Sequence, residues 1–375
     1  MPKADTSVKW FHSDMPGAPV LRGEPGALIE LLDACLISGF DPRTPDSITV
    51  AGEVATVTLS GGNPYDKHAV VAITGASVAA LNAEWRIATS SAAAFTFACP
   101  GIPDGGATGA TIKRAAAGWG KPHSDTQKAV YRSLHPLASG VCLRIDDSDA
   151  RYPRVRGYED MTGIDVGTNP FPTFAQHPAD QYWWGKSDTA SAAARPWTLV
   201  ADGLYLWYLP AWFYVADSPP PLHRFGDFRG FDPSTTHPVL ISAYNSVFQT
   251  FSWWSGYATN PDDTPGVYAP RDFVTNSYGP ASRRHHSAFR GWRTPLSPPP
   301  SQSPAYPAYI VNGTNSTDSA AGQAPGILWV PDQRTDWGNR TVIEAGGSAF
   351  LRVQVIYSST EPKHFVLFDI TGPWR

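Results

Sequence analysis

The chain has 375 residues, of which 42% are hydrophobic and only 17% charged; 29 basic and 33 acidic side chains leave a formal charge of -4. That much apolar surface offsets ordering entropy and rules out global disorder, while so small a negative charge gives no field to recruit nucleic acid by counterion release. Three widely spaced cysteines with no C-x-x-C pair exclude a disulfide framework and a zinc site, and no apolar run of about 18 residues offers a membrane-spanning helix.

In chain order, residues 1–24 read as an extended arm punctuated by Pro16, Gly17, Pro19 and Gly23, with Trp10 and Phe11 as its contacts to a neighbouring molecule. Met1 to Phe11 lack an apolar core of signal-peptide length, so synthesis in a reducing cytoplasm is expected. A helix is predicted over 25–38: Pro25 lies in its first turn, Leu28, Ile29, Leu32, Cys35 and Leu36 recur at intervals of three and four, and Gly39 stops it. From 46 to 115 the period changes to two, with strands expected at 48–50, 54–59, 69–74, 85–89, 95–97 and 111–112, one helical turn at 77–82, and turns at Gly52, Gly61-Gly62, Gly75 and Gly105-Gly106.

Beyond a Gly-Ala stretch at 115–120, strands are expected at 141–145, 197–200, 204–209, 213–215, 239–244, 248–253, 342–343, 350–357 and 364–370, the last two as a hairpin. The 36 prolines are dense in this half and favour short strands and rigid loops over long helices. Residues 258–302 read as one long loop ending in the polyproline run Pro298-Pro299-Pro300. The fold class that follows is mainly β: an N-terminal arm and helix (1–42), a small β-sandwich or barrel module (43–115), and a larger Trp/Pro-rich antiparallel β domain with long loops (116–375).

Catalytic signatures are absent, with no G-x-S-x-G elbow and no H-E-x-x-H. Gly185-Lys186-Ser187 imitates the end of a phosphate-binding loop, but Asp180 occupies the position of its first glycine, so a turn after an aromatic strand is expected. Asp146-Asp147-Ser148-Asp149 does not have the spacing of a calcium loop and reads as a solvated turn pairing with Arg151, Arg154 and Arg156. His285-His286 reads as polar loop or interface, because adjacent side chains on extended backbone diverge. No cofactor and no metal is called for.

The aromatic clusters Tyr182-Trp183-Trp184, Trp207-Tyr208, Trp212-Phe213-Tyr214 and Trp253-Trp254 remain. Neighbouring rings on a strand face opposite sides, so one of each pair is expected in the core and the other outward, against a partner subunit or a sugar. Trp183, Trp184, Trp253 and Trp254 are the candidate contact residues.

Several stretches carry a resemblance. They are Val8-Lys9-Trp10-Phe11-His12-Ser13 with Gly17-Ala18-Pro19, Asn63-Pro64, Ile73-Thr74-Gly75-Ala76, Leu81-Asn82, Phe95-Thr96-Phe97, Thr108-Gly109, Arg154 to Glu159, Asn169-Pro170-Phe171-Pro172 and Asp369 to Arg375. Over most of its length the chain resembles a structural protein of tailed bacteriophages and prophages. The resemblance implies a non-enzymatic virion component of the tail or baseplate, made in the bacterial cytoplasm, whose partners are other virion proteins and copies of itself in a symmetric assembly. A receptor- or glycan-binding protein at the tail tip and a head or neck decoration protein are the alternative readings, the first adding a host surface receptor or glycan as partner.

Overall fold

A computed structural model describes residues 2–177, 182–211, 221–231, 239–242, 244–245, 267–271, 278–287, 306–312, 319–330, 338–356 and 364–374. The protein is mainly β, with 50% of residues in strands.

The predicted helix is present as one α-helical segment, Ala27–Leu32, continued by wider π-type turns over Asp33–Ser38. Leu28, Leu31, Leu32, Cys35 and Leu36 are buried, so the apolar stripe seen in the sequence is the face that packs. Gly39 ends it at φ 70°, ψ 176°, a region open in practice only to glycine, and a Cβ there would stand 2.1 Å from the carbonyl oxygen of Arg114. Gly39→Ala is therefore expected to lower the unfolding free energy by at least about 2 kcal/mol, read from the urea midpoint.

Residues 40–114 build two facing sheets. One runs in the order Gly105–Ala107, Ser47–Ala51, Val54–Thr58, Ala94–Ala98, Thr89–Ser90; the other runs Phe40–Arg43, Thr111–Arg114, Val70–Thr74, Glu84–Arg86. Ile48, Val50, Ala55, Val57, Phe95 and Phe97 point inward while their neighbours face out, as period-two patterning requires. Across the layers Trp85 stacks on Phe97 with ring centroids 4.8 Å apart. Gly105-Gly106, expected as a turn, instead forms an edge strand on Ile48–Val50, because the turn lies earlier, at 100–104.

The other described strands form two larger antiparallel sheets and one short pairing of Leu21–Arg22 with Ala194–Arg195. One orders Trp119–Asp125, Lys128–Ser133, Cys142–Asp146, Arg154–Gly163, Tyr182–Trp183 and Tyr244–Asn245, with Val166–Phe171 also on Arg154–Gly163. The other begins at Lys9–His12 and continues through Trp197–Ala201, Tyr205–Pro210, His223–Asp227, Val239–Ser242, Val267–Arg271, Tyr278–Ser287, Tyr306–Asn312, Ser319–Val330, His364–Asp369, Ser348–Ile356 and Thr341–Ala345. The hairpin expected at the C-terminus pairs Phe350 with Asp369 and Val353 with Val366. Two expectations are corrected here. Residues 258–302 are not wholly loop, since Val267–Arg271 and Tyr278–Ser287 are paired strands and His285-His286 lie within the second. Strands at 119–133, 154–171 and 223–227 also went unread, because charged and glycine residues interrupt their alternation. The strands expected at 213–215 and 248–253 lie outside the described residues.

Trp207 and Tyr208 correct the rule of one ring in and one out: both are fully buried. Their strand is covered on both faces, with Tyr208 beside Trp184 and His223 on one side and Trp207 against Phe368 on the other. One continuous buried cluster runs from Val8 through the small module to Trp374.

Candidate functional site

A polar constellation centred on two fully buried charged side chains joins three stretches distant in sequence. Asp147, just beyond the strand Cys142–Asp146, receives the backbone N–H of Leu28 at 2.8 Å and of Ile29 at 3.3 Å on Oδ2. Its Oδ1 accepts from Lys186 Nζ, which also donates to the Glu24 carbonyl at 2.5 Å. Main-chain bonds fix both partners: Asp147 N–H to Gln127 O, Gly26 N–H to Asp147 O, and Lys186 N–H to Arg151 O. Neither charged side chain is exposed. Burial pushes the Asp147 carboxyl up to about 6 against the pull of Lys186 and the two N–H donors, and burial lowers the Lys186 ammonium.

This corrects two sequence readings. The acidic cluster is a solvated turn only in part: Ser148 and Asp149 reach the surface, while Asp146, 3.8 Å from Arg154, closes a buried strand and Asp147 turns inward. Gly185-Lys186-Ser187 is more than a turn, since Lys186 supplies the counter-charge of a core carboxylate. No spacing in the sequence links positions 39 residues apart, so the pair was legible only as two separate motifs.

The N-terminal arm is corrected as well. Trp10 and Phe11 are 4% and 2% exposed, and Lys9–His12 pairs in register with Thr198–Ala201. The arm gains its contacts from its own chain, so removing residues 2–24 takes away an edge strand and core rings and is incompatible with a folded remainder. Arg86 binds Val8 O, Asp5 O and Ile370 O, tying this strand to the C-terminus, and Arg340 meets Asp14 at 2.8 Å.

His12 sits at the end of that strand. Asp14 N–H donates to its Nδ1 at 3.3 Å, which requires that nitrogen to be unprotonated. Burial, opposed by Asp14 and assisted by Arg340, lowers its pKa from 6.5 to about 4. Between those values the unfolded chain takes up a proton that the folded one refuses, so acidification favours unfolding. We expect about 2 kcal/mol of this group's stability to be lost between pH 7 and pH 5. Urea midpoints at the two pH values should differ less in His12→Gln than in the parent; equal differences would remove His12 as the cause.

The aromatic candidates divide. Trp184 is fully buried and stacks on His223 with centroids 5.5 Å apart, so it is withdrawn as a contact residue. Trp183 is half-buried in a surface stack with Tyr152 at 5.1 Å, over which Arg151 lies at 4.7 Å. Trp253 and Trp254 lie outside the described residues, as do Trp212, Phe213 and Tyr214.

Sequence reasoning missed the exposed apolar side chains, because nothing local distinguishes them from core residues. Leu134 and Leu137 are 65% and 62% exposed, three residues apart on the loop after Lys128–Ser133. That loop is braced, not loose: Ser133 Oγ donates to Gly203 O and Ser139 N–H to Asp227 Oδ2 at 2.8 Å. Among the described residues no three His, Cys, Asp or Glu side chains are grouped to hold a metal ion, and Cys35, Cys99 and Cys142 are free thiols in the core. No protein-family model matches the chain, and comparison with curated proteins returns no match.

Proposed function

We propose that the chain is an architectural component of a tailed-phage particle, in its tail or baseplate, acting through contacts with neighbouring protein. The observation that carries this reading is the braced loop holding Leu134 and Leu137 outward. A loop tied at both ends to the body presents two large apolar groups at low entropic cost, as a protein contact needs. Two further features support it: the low charge of the chain, 17%, suits surfaces completed by other protein, and the stretches that resemble virion proteins include both Val8, just before the first strand, and Gly372, which lies beside it.

The test is the double substitution Leu134→Ser with Leu137→Ser. Both side chains are solvent-facing, so the variant should melt as the parent does. Truncating two interface anchors should reduce incorporation into particles by about tenfold or more, measured by mass spectrometry of purified virions. Full incorporation of the folded variant would reject this loop as the assembly contact.

A further inference from the structure

We propose that Lys186 Nζ and Asp147 Cγ condense to an intramolecular amide, a cross-link that the folded chain forms on itself. The two groups are already in direct contact, both without exposure to solvent, and each is anchored by its own main chain. Such placement converts a bimolecular condensation into a unimolecular one and excludes the water that would reverse it. The shell offers little to hold the ions apart: Tyr131 and Tyr208 lie within electrostatic reach of Asp147 and carry no charge, with Asp149 and Arg22 acting on Lys186 in opposite senses. An ion pair there bears a desolvation cost that a neutral amide escapes.

The chemistry balances without an added reagent. Lys186 passes one proton to Asp147 Oδ1, giving a neutral amine and a carboxylic acid, a transfer favoured by burial of both. The Nζ lone pair attacks Cγ, and the charge that develops on Oδ2 falls on the Leu28 and Ile29 N–H groups. Nζ then loses a second proton to Oδ1, the Cγ–Oδ1 bond breaks, and water leaves. The product is matched to its surroundings. Its one remaining N–H has the Glu24 carbonyl as acceptor, and its carbonyl oxygen keeps both backbone donors. No buried polar group is left unsatisfied by the reaction.

Intact-mass measurement of the purified full chain tests this. We expect a mass about 18 Da below that of the sequence, one water lost, with peptide mapping recovering a branched peptide that joins the segments containing Asp147 and Lys186. Lys186→Arg should restore the full mass, and Asp147→Asn should lose about 17 Da, as ammonia leaves instead of water. The full sequence mass in the parent chain would overturn the proposal. So would a deficit mapped to succinimide at Asp104-Gly105 or Asp202-Gly203. The measurement on the parent chain stands even where a variant fails to fold.

Discussion

Lys186→Met is expected to lower the unfolding free energy by about 3–5 kcal/mol, the range for leaving a buried charge without its partner, and by more where the parent carries the amide, since the cross-link is then lost as well. The cost arises from what remains. Asp147 would keep its two backbone donors but lose its counter-charge at a site with no exposure. Replacing both partners, Asp147→Leu with Lys186→Met, removes the stranded charge and should recover part of the loss, though Leu28 and Ile29 then lose their acceptor. Urea unfolding of the two variants and the parent measures both steps. A single variant as stable as the parent would mean that the pair contributes nothing to the fold, and would sever the link between the helix and the segment at 184–187.

Trp207→Ala should cost a similar amount, about 3–5 kcal/mol, for a different reason. Trp207 is fully buried, its ring 5.7 Å from Phe368 and 5.4 Å from Tyr205, with its Nε1–H on the Pro325 carbonyl at 2.9 Å. Through it the strand Tyr205–Pro210 meets the C-terminal strands. Deleting it opens a cavity at that junction and leaves a buried carbonyl without its donor. Trp207→Phe keeps most of the packing and loses the hydrogen bond, so a smaller loss of about 1–2 kcal/mol is expected. Thermal and urea unfolding should rank the parent, the phenylalanine and the alanine variants in that order; equal losses would assign the whole effect to the hydrogen bond.

The two substitutions act on different contacts, yet each couples segments distant in sequence. Asp147 and Lys186 hold the start of the helix, while Trp207, Arg86 and Arg340 connect the first strand and its sheet to residues beyond 320. For a particle component this arrangement has a consequence. The N-terminal segment is consumed in the chain's own core, so on the proposed reading the contacts with neighbours are assigned to braced surface features such as Leu134 and Leu137.

How much of this was legible beforehand depended on whether the information was local. The helix, its glycine stop, the alternating strands of residues 46–115 and the C-terminal hairpin follow from short-range periodicity and turn chemistry, which act within a few residues. By itself the amino-acid order thus determined a mainly β protein with one short helix, no disulfide framework and no helix long and apolar enough to span a membrane, the last also true of the described residues. What tertiary structure alone decided was which faces are covered. Trp10, Phe11 and Trp184 carry no local mark distinguishing a ring that meets a partner from one that meets its own core; the pairing of Lys9–His12 with Trp197–Ala201 and the stack of Trp184 on His223 settle them. Asp147 and Lys186 likewise read as surface residues until the fold carries both out of water, because burial is a property of the assembled layers and not of the residues themselves.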